Sequence, residues 1–132
     1  MKDLQTGVTG TSELTVNSEN LAVNVGSGSL EVFATPHMIM LMEKAACSCI
    51  SDYFENDETS VGTEINVKHI SATPKGMKVC AEAELAEING RELTFTVKAY
   101  DEAGDIGEGV HKRFIVSGER FISKANSKLT IK

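Results

Sequence analysis

The stretch Thr35-Pro36-His37-Met38-Ile39-Met40-Leu41-Met42-Glu43-Lys44-Ala45-Ala46-Cys47-Ser48-Cys49-Ile50 decides how the rest of the chain must fold. Met38, Leu41, Met42, Ala45 and Cys49 recur at helical offsets of 3, 4, 7 and 11 residues and share one face. A second group lies beside it: Ile39, Glu43, Ala46 and Ile50. Only Lys44, Ser48 and Ser51 make a clear polar strip. Thr35 suits an N-cap and Pro36 the first helical position, so the spacing predicts a helix over about 36–53. Being apolar around most of its circumference, it is expected to be largely buried.

Working outward, residues 8–16 form a weakly patterned first strand. Asn24-Val25-Gly26-Ser27-Gly28-Ser29 reads as a flexible loop of the kind that serves as a lid or binding element. Downstream, Val61, Thr63, Ile65, Val67 and His69 alternate with Glu64, Asn66 and Lys68, placing His69 on an inward strand face. Met77, Val79, Ala81, Ala83 and Leu85 alternate in the same way, and Leu93, Phe95, Val97 and Ala99 continue the inward face. Turns are marked by Thr73-Pro74-Lys75-Gly76, by Asn89-Gly90 and by Asp101–Gly104. In the last strand, Ile106 to Val116, Gly107 and Gly109 blur the alternation and predict a bulge or a close backbone approach. Ser123–Lys132 reads as a frayed tail or a short extension.

One helix and about five strands make a single α+β domain over 1–132, with its core at about 8–118. An antiparallel sheet with the helix on one face is the economical arrangement. One sheet is too little to cover so apolar a helix. A second copy is therefore expected over the Ile39–Glu43–Ala46–Ile50 face, with Glu43 near the seam.

Composition excludes several classes of partner. The net charge of −6 over 132 residues argues against nucleic acid and anionic membranes, which both call for a basic face. A local basic spot for a phosphorylated small molecule stays compatible with it. MKDLQTGVTG has no apolar centre for a signal peptide, and Met38–Ile50 is too short to span a bilayer. Cys47, Cys49 and Cys80 are an odd set that reads as reduced thiols in a cytoplasmic protein, packed rather than binding zinc.

Thr35, Glu43 and His69 are the polar side chains that stand where the pattern calls for apolar or merely structural ones. Glu43 either reaches water or a lysine from an edge, or is a carboxylate held in a cleft as base or nucleophile. Thr35 can cap the helix through its oxygen and still donate its O–H. His69 is either a satisfied core histidine or, beside Glu43, half of an acid–base pair. His37 and His111 occupy less demanding places, and the three histidines show no metal spacing. Gly26-Ser27-Gly28 lacks the Lys-Ser/Thr of a phosphate loop, and no G-x-S-x-G elbow occurs.

Several separated motifs occur in a familiar order. They are Phe33-Ala34-Thr35-Pro36, Leu41-Met42-Glu43, Val61-Gly62-Thr63, Val67-Lys68-His69 and Ala72-Thr73-Pro74-Lys75-Gly76, then Leu93-Thr94-Phe95, Ala99-Tyr100-Asp101 and Ile106–Arg113. Over about residues 30–116 the chain resembles the fluoroacetyl-CoA thioesterase-like family of hot-dog proteins. The resemblance implies a five-stranded antiparallel sheet wrapped around one long helix, paired as a homodimer with its active sites at the interface. It implies catalytic roles for Thr35, Glu43 and His69, and substrate contacts at Gly62 and Arg113; a backbone N–H at Gly62 or Thr63 is then expected to polarise the substrate carbonyl. It implies no metal and no cofactor, only a CoA thioester as substrate. The fluoroacetate-specific member carries lid-forming phenylalanines before the helix. Here that segment is Gly26-Ser27-Gly28-Ser29, with no aromatic until Phe33. The expected activity is therefore hydrolysis of a short- to medium-chain acyl-CoA without fluoroacetyl specificity. A non-catalytic acyl-CoA or small-ligand binding module, or a hot-dog hydratase or dehydratase, are the alternatives.

Overall fold

A computed structural model describes residues 1–130. In chain order the elements are β1 (Thr9–Thr15), α1 (Ala22–Val25), α2 (Thr35–Ile50), β2 (Glu58–His69), β3 (Lys78–Asn89), β4 (Glu92–Asp101), β5 (Gly104–Ser117) and α3 (Gly118–Asn126). The five strands form one antiparallel sheet in the order β1-β3-β4-β5-β2. The sheet curls around α2, which rests chiefly on β1 and β3. The expected α+β architecture is the one observed.

The helix periodicity explains the core. Met38, Leu41, Met42 and Ala45 are fully buried against Val79, Ala81, Leu85, Leu93, Phe95 and Ala99. β1 crosses α2 at Gly10, where a Cβ would strike the Ala45 carbonyl and the Ser48 hydroxyl, so only glycine lets strand and helix meet there. Ala46 and Ile50, expected on the face awaiting a second copy, are already buried within the protomer. Pro36, Met40, Lys44 and Ser48 face solvent, and the row Thr35, Ile39, Glu43 and Cys47 beside them, also spaced by four residues, is only partly covered.

Four local readings are corrected. The helix begins one residue earlier than expected: Ala34 is the N-cap, Thr35 the first helical residue, and the Thr35 side chain makes no capping hydrogen bond. Pro36 is tolerated at the second position because the N–H groups of the first turn have no helical partner anyway. The supposed flexible loop starts with a short helix, α1, which stops at Gly26 with φ +78. Its two limbs are tied by Ala22 N–H to the Val32 carbonyl and Val23 N–H to the Leu30 carbonyl. Only the Gly26–Ser29 tip is left as loop.

The third correction concerns β2. The β2–β5 register shifts between Gly62 and Glu64, a bulge at Thr63. A bulge exchanges the faces of the residues on either side of it. Val61 lies opposite Phe114, which is 40 % exposed on the outer face, so Val61 does not share the face of His69. Gly62 does, opposite Arg113, together with Ile65, Val67 and His69 beyond the bulge. Lastly, the supposed tail is largely α3 followed by a 3-10 turn at Ser127–Thr130; residues 131 and 132 lie outside the described residues.

The Asn89-Gly90 signal produces a hairpin whose central residues are Gly90, at φ +64, and Arg91. Glycine at the first central position is the type II′ requirement. The glycines of β5 behave as expected. Gly107 leaves room for Met38 Sδ, which would lie 2.6 Å from a Cβ there, and Gly109 for the Asn66 carbonyl of β2.

Candidate active site

The close approach at Gly107 has a direct consequence for the site. It lets the first turn of α2 settle on β5, and His69, the last residue of β2, lies opposite Gly107. Thr35 Oγ1 thereby comes to 2.8 Å from His69 Nδ1. His69 Nε2 is buried and has no hydrogen-bond partner among the described residues. Burial holds the His69 pKa below its ordinary value, with a backbone contact at Ser71 opposing, which favours the neutral imidazole. An open cavity of about 370 Å³ lies beside the pair, lined by Gly28, Ser29, Leu30, Phe33 and Ile70 among others.

Glu43 stands on the same helix eight residues further on, about 12 Å along its axis at 1.5 Å per residue. Its surroundings are different. Glu43 Oε2 is 3.8 Å from Arg113 Nη1, and Gly62 lies beneath it, where a Cβ would be 3.0 Å from the same oxygen. Arg113 has a 9 % exposed side chain and is held from several sides. Its Nε donates to Ser60 Oγ at 2.8 Å, its Nη2 to the Ser60 carbonyl at 3.1 Å, and its Nη1 to His111 Nε2 at 3.1 Å. His111 is buried at 1 % exposure, places Nδ1 2.8 Å from the Glu64 carbonyl and stacks on Phe95.

Within one protomer the structure thus brings Thr35 to His69, and Glu43 to Gly62 and Arg113, but leaves the two groups two helical turns apart. Thr63 is the bulge residue; its hydroxyl donates to the Lys112 carbonyl at 3.2 Å. The residue that sequence reasoning passed over is His111. Its signal was faint: a histidine two residues from Arg113 on a strand whose glycines hid the alternation.

Other candidates have structural roles. His37 Nδ1 is 3.1 Å from the buried Asn20 amide, which ties the segment before α2 to the helix. Cys49 is buried, with its thiol pKa pushed up to about 11 by burial, and it packs against the carbonyls of Ala45 and Ala83. No group of three or more His, Cys, Asp or Glu side chains among the described residues could hold a metal ion. No helix among them is long and apolar enough to cross a membrane.

Comparison with known proteins adds to this geometry. Residues 16–119 match the family described as FlK: Fluoroacetyl-CoA-specific thioesterase. The fluoroacetyl-CoA thioesterase of Streptantibioticus cattleyicolor is 43% identical over 98 residues, covering 74% of this chain and 70% of that one. The solved structure of the fluoroacetyl-CoA thioesterase FlK superposes with a TM-score of 0.90 at 34% identity, over 96% of this chain and 98% of that one. A threonine-to-serine mutant of FlK in complex with acetyl-CoA gives a TM-score of 0.89 at 34% identity, over 95% and 98%. A hypothetical protein of Thermus thermophilus, a thioesterase superfamily member, gives 0.89 at 25% identity, over 96% and 94%.

Proposed function

The chain belongs to the FlK fluoroacetyl-CoA-specific thioesterase family, and from that premise we propose that this acyl-CoA thioesterase hydrolyses short- to medium-chain acyl-CoA without fluoroacetyl specificity. The observation that carries the reading is the pairing of Thr35 with a half-buried His69, together with a carboxylate, Glu43, held over the Gly62 backbone. Thioester hydrolysis needs those parts: an activated oxygen nucleophile, a donor for the carbonyl oxygen and a proton for the leaving thiolate.

In this mechanism Glu43 attacks the thioester carbonyl or takes a proton from the water that does. The backbone N–H at Gly62 or Thr63 stabilises the tetrahedral oxyanion. Collapse breaks the C–S bond, and His69, oriented by Thr35, takes up the proton that the attacking water releases, directly or by way of Glu43, and passes it to the sulfur. Where Glu43 itself attacks, water then cleaves the acyl–Glu43 anhydride, restores the carboxylate and supplies that proton. Acyl-CoA and water become carboxylic acid and free CoA.

The 12 Å between the two groups is bridged by a second copy of the chain. If α2 of each copy runs antiparallel to the other about a two-fold axis near Ile39, the Glu43 of one copy faces the Thr35–His69 pair of the other. Each dimer then has two composite sites. The partly covered row Thr35–Ile39–Glu43–Cys47 supports this arrangement, since the half-buried Ile39 within it and the exposed Met40 beside it are apolar. Substrate range follows from the Gly26–Ser29 tip. It brings no aromatic side chain to the cavity, and Leu30 beside it is 67 % exposed, so nothing there closes tightly over a two-carbon acyl group.

Steady-state release of CoA thiol from fluoroacetyl-, acetyl-, butyryl- and hexanoyl-CoA tests the reading. The expected result is turnover on several esters with no marked preference for fluoroacetyl-CoA over acetyl-CoA, and its loss in Glu43→Ala and His69→Ala. Wild-type turnover no higher than that of both variants on every ester would overturn it, and binding without thiol release would mark a carrier instead.

A further inference from the structure

His111 has no place in the mechanism above, yet it is one of the few buried polar residues of the protein. Its two ring nitrogens meet partners of opposite kind. Nδ1 faces the Glu64 carbonyl, which can only accept, and Nε2 faces Arg113 Nη1, which can only donate. Together they fix a neutral imidazole carrying its proton on Nδ1, with the Nε2 lone pair aimed at the guanidinium. An imidazolium would set N–H against N–H and two positive charges 3.1 Å apart. The charged groups that face the ring are Arg113 from β5 and Glu43 from α2. Burial and then Arg113 hold the His111 pKa below its ordinary value, while the Glu64 carbonyl and Glu43 pull the other way.

Arg113 Nη1 stands between two acceptors. It makes a hydrogen bond to His111 at 3.1 Å and only a longer ion-pair contact to Glu43 at 3.8 Å. Ser60 fixes the remainder of the guanidinium through Nε and Nη2. Gly62 is where these groups converge. A Cβ there would lie 3.0 Å from Glu43 Oε2, 3.2 Å from His111 Cε1 and 3.4 Å from Arg113 Nη1. A guanidinium free to turn would close on the carboxylate in a bidentate pair, the geometry such groups prefer, and would occupy the oxygens that chemistry needs.

We propose that His111 is a positioning residue for Glu43: by accepting a hydrogen bond from Arg113 Nη1 it keeps the guanidinium near the carboxylate without letting it close on it. The inference rests on the thioesterase reading for its kinetic consequence, though not for its geometry. The bulge at Thr63 belongs to the device, since it lies between Gly62 under the carboxylate and the Glu64 carbonyl that orients the ring.

Two variants and one spectrum test it. His111→Phe keeps the ring and its stacking on Phe95 but accepts nothing, whereas His111→Gln can accept from Arg113 and donate to Glu64. The expected result for His111→Phe is a fall in kcat of about 10–100-fold, since a reacting group displaced by about 1 Å can cost about 10²-fold, with KM little changed. His111→Gln is expected to recover most of that loss. A folded His111→Phe with wild-type kcat, a loss confined to KM, or a folded His111→Gln as impaired as His111→Phe would each overturn the proposal. Nitrogen NMR of the wild-type imidazole needs no variant to fold. At pH 7 it should show the neutral form protonated on Nδ1, and an imidazolium or an Nε2–H tautomer would overturn the proposal. A wild type that frees no thiol from any ester would sink the thioesterase reading while leaving this tautomer to judge the geometry.

Discussion

At the start of α2, Thr35 and His69 are joined by one hydrogen bond beside a loop tip of glycine and serine. Two turns along the same helix, Glu43 stands against Gly62 and a buried guanidinium that is bonded to Ser60 and His111. The imidazole end hangs on one hydrogen bond beside a cavity; at the carboxylate end the guanidinium is bonded on three sides, while Glu43 itself, 42 % exposed, touches it only at 3.8 Å. Under the proposed mechanism the two groups have different needs. A carboxylate that attacks or activates water needs a fixed direction, because small displacements of a reacting atom are costly in rate. An imidazole that passes a proton to a leaving group needs access and a pKa near the working pH. On that mechanism neither end is sufficient alone.

If both ends serve one reaction, their largest mutational effects should match. Glu43→Gln and His69→Gln are each expected to lower kcat on the order of 10²–10⁴-fold, and the double variant to lose little more than either. Additive losses measured in steady state would separate the two ends. Gly62→Ala puts a methyl group among Glu43, His111 and Arg113, and displacing the carboxylate in this way should cost on the order of 10²-fold in kcat. A Gly62→Ala enzyme of normal rate would show that the braced end tolerates movement.

Smaller effects are expected at the lighter end. Thr35→Val removes one hydrogen bond to His69, worth about 1 kcal/mol, and should lower kcat by about fivefold to tenfold, while Thr35→Ser restores it. A Thr35→Val enzyme with full kcat would leave His69 oriented by something else. The least effect is on stability. His69 and His111 both have pKa values held below the unfolded value of about 6.5, so the unfolded chain takes up more protons as acid is added. Their contribution is intact above about pH 6.5 and is lost as pH falls towards the folded values. Thermal melts at pH 7 and pH 5.5 should show the lower midpoint at pH 5.5. An unchanged or higher midpoint would mean that neither ring is held neutral.

Periodicity made much of this legible. The face containing Met38, Leu41, Met42 and Ala45 gave the helix, and the runs at Val79–Leu85 and Leu93–Ala99 gave the strands that cover it, because both patterns follow from local geometry alone. Thr35, Glu43 and His69 were visible as polar residues in apolar company. Their grouping was not, because it depends on register between β2 and β5, far apart in sequence. One extra residue at Thr63 moved Val61 to the outer face and Gly62 beneath Glu43, and no alternation pattern announces a bulge. His111 was missed for the same reason: its partners, Glu64 and Arg113, meet it only across that irregular ladder. Gly118–Asn126 was overlooked for another reason: Phe121, Ile122 and Ala125 do make a helical apolar stripe, but it is short, and α3 buries none of its residues.

A hybrid dimer measures directly whether the two half-sites meet between copies. One subunit carries Glu43→Ala and one tag, the other His69→Ala and a second tag, and the hybrid is isolated through both. Each homodimer should be inactive. The hybrid should regain about half the wild-type rate, because one of its two composite sites then holds an intact His69 from one subunit and an intact Glu43 from the other. A hybrid as inactive as its parents would contradict the composite site, since sites contained within single subunits would each retain a defect.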